Sequence, residues 1–166
     1  MDVNEQKIVH RDMKLSNILL HFPDKIQLEQ LNKNQKHLFL KQVDLQTIDF
    51  EIKISDFGLS TVLDGTQSQL SIVGTPLYQS PQVLKRKFYN DTVDTWALGC
   101  VLYELIQGQT PFHCYNMTEL VRKINDGRYK VSIEDGEIIK IETCLFLLEC
   151  LQTLENNRIQ ARDLTN

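Results

Sequence analysis

The chain has 166 residues, of which 42% are hydrophobic and 24% are charged, and its formal net charge is -4 at pH 7. This length fits one domain or a piece of a larger one, and the composition is ordinary for a soluble globular protein. The acidic balance argues against a nucleic-acid-binding protein, and no apolar run approaches the roughly 20 residues that a membrane span requires. The four cysteines form no C-x-x-C pair and the first seven residues are too polar for a signal peptide, so we expect a reducing, cytoplasmic compartment.

The predicted strands lie in the first third of the chain. Residues 8–10 and 18–20 are short β-prone runs on either side of a polar stretch, and residues 51–55 form a third such run. Residues 21–51 are rich in Gln, Asn and Lys and contain no glycine. A connection this long is uncommon in a compact domain, so we predict an insertion that is partly ordered by a strand pair or a helical turn.

The middle of the chain changes from loop to helix. Residues 59–79 are rich in Ser, Thr, Gln and Gly, which predicts a mobile loop. A short helix is predicted over residues 81–84, with Ser80 as its N-cap and a proline at its first position. A buried helix is predicted over residues 92–107, and Gly108 suits the left-handed residue that commonly ends a helix.

Further helices are predicted towards the end of the chain. Thr118 is a plausible N-cap for a helix over residues 119–125, and Gly127 would end it. An amphipathic pattern predicts a helix over residues 141–154, and a short last helix is predicted over residues 159–164. Strands therefore come first and helices follow, an order that is typical of an α+β fold.

The first motif with chemical content is H-R-D-x-K-x-x-N at residues 10–17. Asp12 would accept or orient the proton of an attacking hydroxyl, and Lys14 would neutralise charge on a transferring phosphate. Asp12 could also be a plain loop aspartate, but the cation and the amide that follow it at these spacings disfavour that reading. The motif therefore indicates transfer of a phosphoryl group to a hydroxyl.

The second motif is D-F-G, which directly follows the predicted strand at residues 51–55. The carboxylate of Asp56 and the amide oxygen of Asn17 are hard ligands of the kind that Mg²⁺ prefers. We expect Phe57 to pack inward and set the orientation of Asp56, and Gly58 to permit the backbone turn.

These motifs belong to a longer succession: H-R-D-x-K-x-x-N, K-I-S-D-F-G, G-T-P-x-Y, S-P-Q, D-x-W-x-x-G, Pro111-Phe112 and Arg158. In this order they resemble the C-terminal lobe of a eukaryotic protein kinase of the serine/threonine type. The resemblance implies an α+β, mostly helical lobe with short β-strands around the catalytic loop. It also implies an enzyme that transfers the γ-phosphate of ATP, with Mg²⁺, to serine and threonine hydroxyls of protein substrates.

The resemblance also implies a domain organisation. Residues 1–166 would be a partial protein kinase domain, with an insertion at residues 21–51 and an activation segment at residues 56–82. Residues 53–60 resemble those of the autophagy-initiating, polo, aurora and calmodulin-regulated kinases, and weakly favour the autophagy-initiating group.

Several residue roles are implied only by this resemblance. Arg11 resembles the arginine that pairs with a phosphate on the activation loop, and Ser71 lies where the activating phosphorylation site is common. An unmodified loop serine is an equally good reading of Ser71. Thr75 would bridge Asp12 and Lys14, and threonine in this place favours serine/threonine specificity.

Other implied roles concern the scaffold. Asp94 resembles the helix carboxylate that binds backbone amides of the catalytic loop, although a simple surface acid is the alternative. Gln82 stands where the family has a glutamate that pairs with a late arginine, for which Arg158 is the match. A neutral pair would be weaker than a charged one and would loosen the substrate-facing loop. Trp96 and Phe112 are predicted core residues.

The elements that hold the phosphates of ATP in this family are missing from the sequence. There is no Gly-rich loop, no V-A-I-K-type lysine and no helix with that lysine's glutamate partner. We therefore expect a fragment that lacks the N-lobe and is inactive by itself. The alternative is a catalytically inactive kinase-like binding or regulatory module, or a truncated gene product.

Overall fold

A computed structural model describes residues 7–22, 30–42, 48–63, 73–132 and 139–164. The chain forms two compact units, of which the larger comprises residues 1–15 and 56–166 and the smaller comprises residues 16–55. In chain order the strands and helices are β1 (Lys7–Val9), β2 (Ile18–His21), α1 (Lys33–Gln42), β3 (Glu51–Ile54), β4 (Thr61–Leu63), α2 (Pro81–Leu84), α3 (Thr92–Gln107), α4 (Met117–Asp126) and α5 (Ile141–Cys150). In the described part of the chain, no helix has both the length and the apolar content to cross a membrane.

The larger unit opens with an antiparallel ladder between β1 and β4, in which Ile8 lies opposite Val62. Val9 is fully buried, whereas Ile8 and Val62 are exposed. This alternation follows from the strand geometry, because successive side chains point to opposite faces. The buried Val9 anchors the strand immediately before the loop at residues 10–14.

The prediction of a mobile loop over residues 59–79 is wrong at both ends of that range. Residues Thr61–Leu63 form β4, and residues Pro76–Tyr78 form a 3₁₀ turn. Local composition could not show this, because the hydrogen-bond partners of β4 lie in β1, more than fifty positions earlier. Residues 64–72 lie outside the described residues.

The smaller unit contains the antiparallel ladder between β2 and β3. Ile18 lies opposite Ile54, and His21 lies opposite Glu51. The predicted insertion at residues 21–51 therefore leaves and re-enters the ladder at one paired position. This arrangement explains how a long segment can be accommodated, because it does not separate the two strands that flank it.

The segment predicted to be an insertion contains α1, a helix of ten residues, where the sequence allowed a strand pair or a helical turn. The helix begins with a capping box: Asn32 Oδ1 accepts from the backbone N–H of Gln35 at 3.0 Å, and Gln35 Oε1 accepts from that of Asn32 at 2.9 Å. The buried ring of Phe22 lies 5.8 Å from that of Phe39 and 6.2 Å from that of Phe50, between centroids. This small aromatic centre orders a segment whose overall composition is polar.

The main core of the larger unit surrounds α3. Trp96 and Phe112 are fully buried, as predicted, and their rings stack with 5.5 Å between centroids. The other buried members are Cys100, Tyr103, Leu120, Ile124, Leu147 and Leu151. A Cβ built on Gly99 would lie 2.7 Å from Cβ of Cys150, so glycine at this position lets α5 approach α3 closely.

The helix ends agree with the sequence at two glycines and differ at one cap. Gly108 ends α3 with φ 69° and Gly127 ends α4 with φ 61°, both in the left-handed region. Helix α4 begins earlier than predicted, because Asn116 and not Thr118 is its N-cap. Asn116 Oδ1 accepts from the backbone N–H of Glu119 at 2.8 Å.

Helix α5 ends at Cys150, four residues before the predicted end. The carbonyl oxygens that follow are used by side chains. Arg158 Nη2 donates to Gln152 O at 2.8 Å, and Gln82 Nε2 donates to Thr153 O at 2.9 Å. Tertiary hydrogen bonds thus satisfy carbonyls beyond the helix end, which have no intrahelical partner.

The remaining differences are small. The last predicted helix, over residues 159–164, contains only a 3₁₀ turn at Ala161–Asp163. Ser80 occupies the N-cap position of α2, but its side chain makes no capping hydrogen bond. All four cysteines are free thiols, and Cys100 and Cys150 are buried.

Candidate active site

The carboxylate of Asp12 is the centre of the site. Its Oδ1 accepts hydrogen bonds from the backbone N–H of Thr75 at 2.9 Å and from the Thr75 hydroxyl at 3.0 Å. Its Oδ2 accepts from Lys14 Nζ at 2.7 Å, and Lys14 also donates to Thr75 Oγ1 at 3.2 Å. These three residues form a closed polar group, named here the Asp12–Lys14–Thr75 cluster.

The surroundings of Asp12 favour its ionised form. Burial raises its pKa, but the hydrogen bonds from Lys14 and Thr75 outweigh burial, and the pKa lies below the ordinary value of 3.8. The side chain is 7% exposed. A carboxylate that is ionised at neutral pH and fixed by three donors can accept a hydroxyl proton without reorganising.

The loop that holds Asp12 is anchored from α3 by Asp94. Asp94 Oδ2 accepts from the backbone N–H of His10 at 2.6 Å, and Asp94 Oδ1 accepts from that of Arg11 at 2.9 Å. Burial raises the pKa of Asp94, although these two amides act in the opposite direction. One carboxylate therefore supports a backbone in which Arg11 has φ 68°, an uncommon conformation for a residue with a side chain.

Gly74 brings Thr75 to Asp12 by a close backbone approach. Its φ is +91°, and a Cβ added to it would lie 2.4 Å from the carbonyl oxygen of Arg11. The same Cβ would lie 3.2 Å from Asp12 Oδ1. Only glycine fits both the backbone conformation and the available space.

The guanidinium of Arg11 lies beside the segment that follows the D-F-G motif. Its Nε donates to the carbonyl oxygen of Leu59, and its Nη1 lies 3.4 Å from the hydroxyl of Tyr89. Ser71 lies outside the described residues, so a phosphate at Ser71 that pairs with Arg11 stays a prediction.

The D-F-G motif differs from the expectation at two of its residues. The left-handed residue is Asp56, with φ 63°, and Gly58 has no positive φ. A Cβ on Gly58 would meet Asp56 Oδ1 at 3.3 Å, so the glycine leaves room for this carboxylate. Phe57 does not pack inward. Its side chain is 56% exposed, and its ring meets the ring of His10 edge-on.

Asn17 belongs to the smaller unit, whereas Asp56 belongs to the larger one. The side chain of Asn17 is buried, and its backbone carbonyl accepts from the backbone N–H of Ser55 at 2.9 Å and from the Ser55 hydroxyl at 3.1 Å. The assignment of Asn17 and Asp56 as magnesium ligands therefore rests on the sequence motifs.

Gln82 and Arg158 lie in direct contact. Arg158 Nη2 donates to Gln82 Oε1 at 3.0 Å, while Nη1 donates to the carbonyl oxygen of Thr92 at 3.1 Å. The guanidinium also lies over the ring of Trp96, 5.0 Å from its centroid. Burial lowers the pKa of Arg158 to about 10. A neutral amide thus occupies the place of a carboxylate beside a buried cation.

We expect Gln82→Glu to leave the free energy of unfolding unchanged or to raise it by about 1 kcal/mol, because a charged hydrogen bond to Arg158 is stronger than a neutral one. The gain is partly offset by the lost bond to Thr153. Gln82→Leu removes both bonds and should lower the free energy of unfolding by about 1–3 kcal/mol. Chemical denaturation of the three proteins measures the order, and a Glu variant less stable than the Leu variant would contradict this account.

Tyr78 lies within the G-T-P-x-Y motif, but residue type and spacing predict no role for it. The Tyr78 hydroxyl donates to Glu104 Oε2 on α3. Burial, together with this carboxylate, raises the pKa of Tyr78 far above its ordinary value. The pair attaches the turn after Thr75 to the central helix. Glu104 carries no signal in the sequence, because its role depends on where α3 lies.

Comparison with known proteins finds similarity to protein kinases. The protein kinase domain family matches residues 3–166. The serine/threonine-protein kinase ATG1 of Pichia angusta is 34% identical over 130 residues, which are 78% of this chain and 15% of that protein. The serine/threonine-protein kinase Nek8 of Danio rerio is 37% identical over 127 residues, 76% of this chain and 15% of that protein. The ATG1 kinase of Komagataella pastoris is 29% identical over 164 residues, 99% of this chain and 20% of that protein.

The chain thus spans 20% or less of the length of each of these relatives. The family match covers nearly all of the chain, and the relatives are serine/threonine kinases that include several ATG1 proteins. The chain therefore belongs to the protein kinase domain family, in its serine/threonine branch, with weak similarity to the autophagy-initiating kinases.

Proposed function

We propose that the protein that carries this sequence transfers the γ-phosphate of ATP to serine and threonine hydroxyls of protein substrates. The observation that carries the proposal is the Asp12–Lys14–Thr75 cluster. It places an ionised carboxylate, a cation and a hydroxyl within hydrogen-bonding distance of one another, on a loop anchored by Asp94.

The proposed chemistry is an in-line displacement. The substrate oxygen forms a bond to the γ-phosphorus while the bond from that phosphorus to the bridging β–γ oxygen breaks, and ADP leaves with the bond's electrons. The hydroxyl proton moves towards the Asp12 carboxylate. Lys14 neutralises charge on the transferring group, and Thr75 holds both side chains in place.

We propose Asn17 and Asp56 as the magnesium-binding residues. Their oxygens are hard donors, and the Asp56 carboxylate is exposed, so the donor chemistry fits this cation. When bound, magnesium neutralises charge that develops on the phosphates. This chain holds Asp56 in a left-handed turn, and Gly58 leaves room for the Asp56 carboxylate.

The domain organisation is also proposed. We assign residues 1–166 to the C-lobe of a kinase domain, residues 21–51 to an insertion and residues 56–82 to the activation segment. A phosphate on Ser71 of this segment would bind to Arg11. The paired ends of the insertion and the helices α2 to α5 support this assignment. The four free thiols support a reducing, cytoplasmic setting.

We expect the 166-residue chain alone to show no appreciable transfer, because its sequence contains neither a Gly-rich loop nor the strand lysine that positions the phosphates. The chain joined to a kinase N-terminal lobe, called the complete kinase below, should phosphorylate serine and threonine peptides. The measurement is incorporation of labelled phosphate from ATP, with and without magnesium.

Two results would contradict the proposal. Robust magnesium-dependent transfer by the isolated chain would show that the missing elements are dispensable. A complete kinase without activity would favour the alternative, a kinase-like binding or regulatory module. Asp56→Asn in the complete kinase should abolish transfer, and near-parent activity of this variant would exclude Asp56 as the metal ligand.

A further inference from the structure

Gln79 is a buried polar residue to which no role has been assigned. It is 5% exposed, and it lies between Tyr78 and Ser80 at the end of the substrate-facing loop. Its Nε2 donates to the carbonyl oxygen of Val73 at 2.7 Å and to that of Gly74 at 3.2 Å. One side-chain amide therefore holds two consecutive carbonyls of the residues that precede Thr75.

The two carbonyls lie at the close backbone approach between Gly74 and Arg11. Gly74 packs against the carbonyl of Arg11 in a left-handed conformation, and the next residue, Thr75, donates its N–H and hydroxyl to Asp12. A displacement of the Val73–Gly74 backbone would therefore move Thr75 away from the carboxylate. The hydrogen bonds from the Gln79 amide to these two carbonyls oppose such a displacement.

We propose that Gln79 is a positioning residue for phosphate transfer, a proposal that rests on the function proposed above. Its amide nitrogen fixes the loop at Val73 and Gly74 and thereby holds Thr75 against Asp12. Gln79 acts through Thr75 and does not touch the reacting atoms.

The amide nitrogen of Gln79 makes both hydrogen bonds to the loop. Among the described residues, Gln79 Oε1 has no hydrogen-bond partner, and neither has the hydroxyl of Ser80. Both residues line a cavity of about 20 Å³ that also borders Asp12 and Thr75. Gln79→Met keeps the length and apolar contacts of the side chain and removes the donor. Ser80→Ala is a matched control, because it removes a buried hydroxyl from the same cavity without removing a hydrogen bond to the loop.

The test uses the complete kinase and two measurements. Hydrogen–deuterium exchange of the backbone amides reports on the loop directly. In Gln79→Met, exchange at Thr75 should become roughly tenfold faster, while amides of α3 should keep the parent rate. In Ser80→Ala both regions should exchange as in the parent. The second measurement is the steady-state kinetics of peptide phosphorylation.

We expect Gln79→Met to lower kcat about tenfold with the KM for ATP changed by less than about twofold, because Thr75 is misplaced and nucleotide contacts are not. Ser80→Ala should retain parent kinetics. Unchanged exchange at Thr75 would overturn the proposal, as would equal acceleration across α3, since that indicates general destabilisation. Exchange at Thr75 needs no catalysis, so an inactive complete kinase would overturn the proposed function while exchange still decides whether Gln79 holds the loop.

Discussion

Asp12→Asn in the complete kinase is expected to lower the rate of peptide phosphorylation by about 10²- to 10⁴-fold, the range typical of a lost general base. The substitution keeps the shape of the side chain and one oxygen for Thr75. It places a donor opposite Lys14, where Asp12 Oδ2 accepts at 2.7 Å, and it removes the charge that accepts the proton. Single-turnover phosphorylation with saturating ATP measures the chemical step.

A surface variant provides the control for Asp12→Asn. Among the described residues, the Asp126 carboxylate pairs only with exposed Arg122 on α4, so Asp126→Asn should leave the rate at the parent value. Nucleotide binding should survive in both variants. Near-parent transfer by Asp12→Asn would contradict the role given to Asp12, and loss of activity in Asp126→Asn would indicate a general effect of charge.

Gly74→Ala is expected to reduce phosphorylation by about 10²-fold or more, because a shift of about 1 Å at a positioned group can have such an effect. The added Cβ would lie 2.4 Å from the carbonyl oxygen of Arg11, and this backbone contact cannot be relieved by a side-chain rotation. The loop would have to move, and Thr75 would move with it. Steady-state kinetics and exchange at the Thr75 amide measure the two effects.

Gly108→Ala separates the effect of a left-handed backbone from the effect of the close contact with Arg11. Gly108 has φ +69°, so alanine meets a similar conformational cost, but in the described part of the chain no atom beyond the neighbouring backbone lies within 4 Å of an added Cβ. We expect a loss of about 1 kcal/mol in the free energy of unfolding and unchanged transfer. Equal losses of activity in the two variants would show that the close approach to Arg11 is not the cause.

The helical half of the fold was largely predictable from the sequence. Helix α3 runs over the predicted residues, because a long apolar pattern that ends in glycine is local information. The cap of α4 was misplaced by two residues, since Asn116 and Thr118 are both good caps and only the path of the chain distinguishes them. The length of α5 was overestimated by four residues, and the carbonyls beyond its end accept hydrogen bonds from Arg158 and Gln82, residues distant in the chain.

The parts of the candidate site that a sequence motif specifies were predictable. The parts that depend on packing were not. The resemblance implied the contacts of Thr75 with Asp12 and of Asp94 with the catalytic loop. It did not indicate the amide of Gln79, the left-handed turn at Asp56 or the exposure of Phe57. Each of these depends on which backbone atoms lie nearby, and residue type does not show that.

The sequence by itself determined which groups this chain has for the proposed phosphate transfer, because residue type and spacing within one loop decide the available acids, cations and oxygens. Tertiary structure alone decided how they meet. Thr75 reaches Asp12 across 63 positions only because Gly74 has no side chain and Gln79 holds the carbonyls before it. Strand β4 exists only because β1 supplies its partners. Such contacts join residues that are distant in the chain, and local preferences carry no information about them.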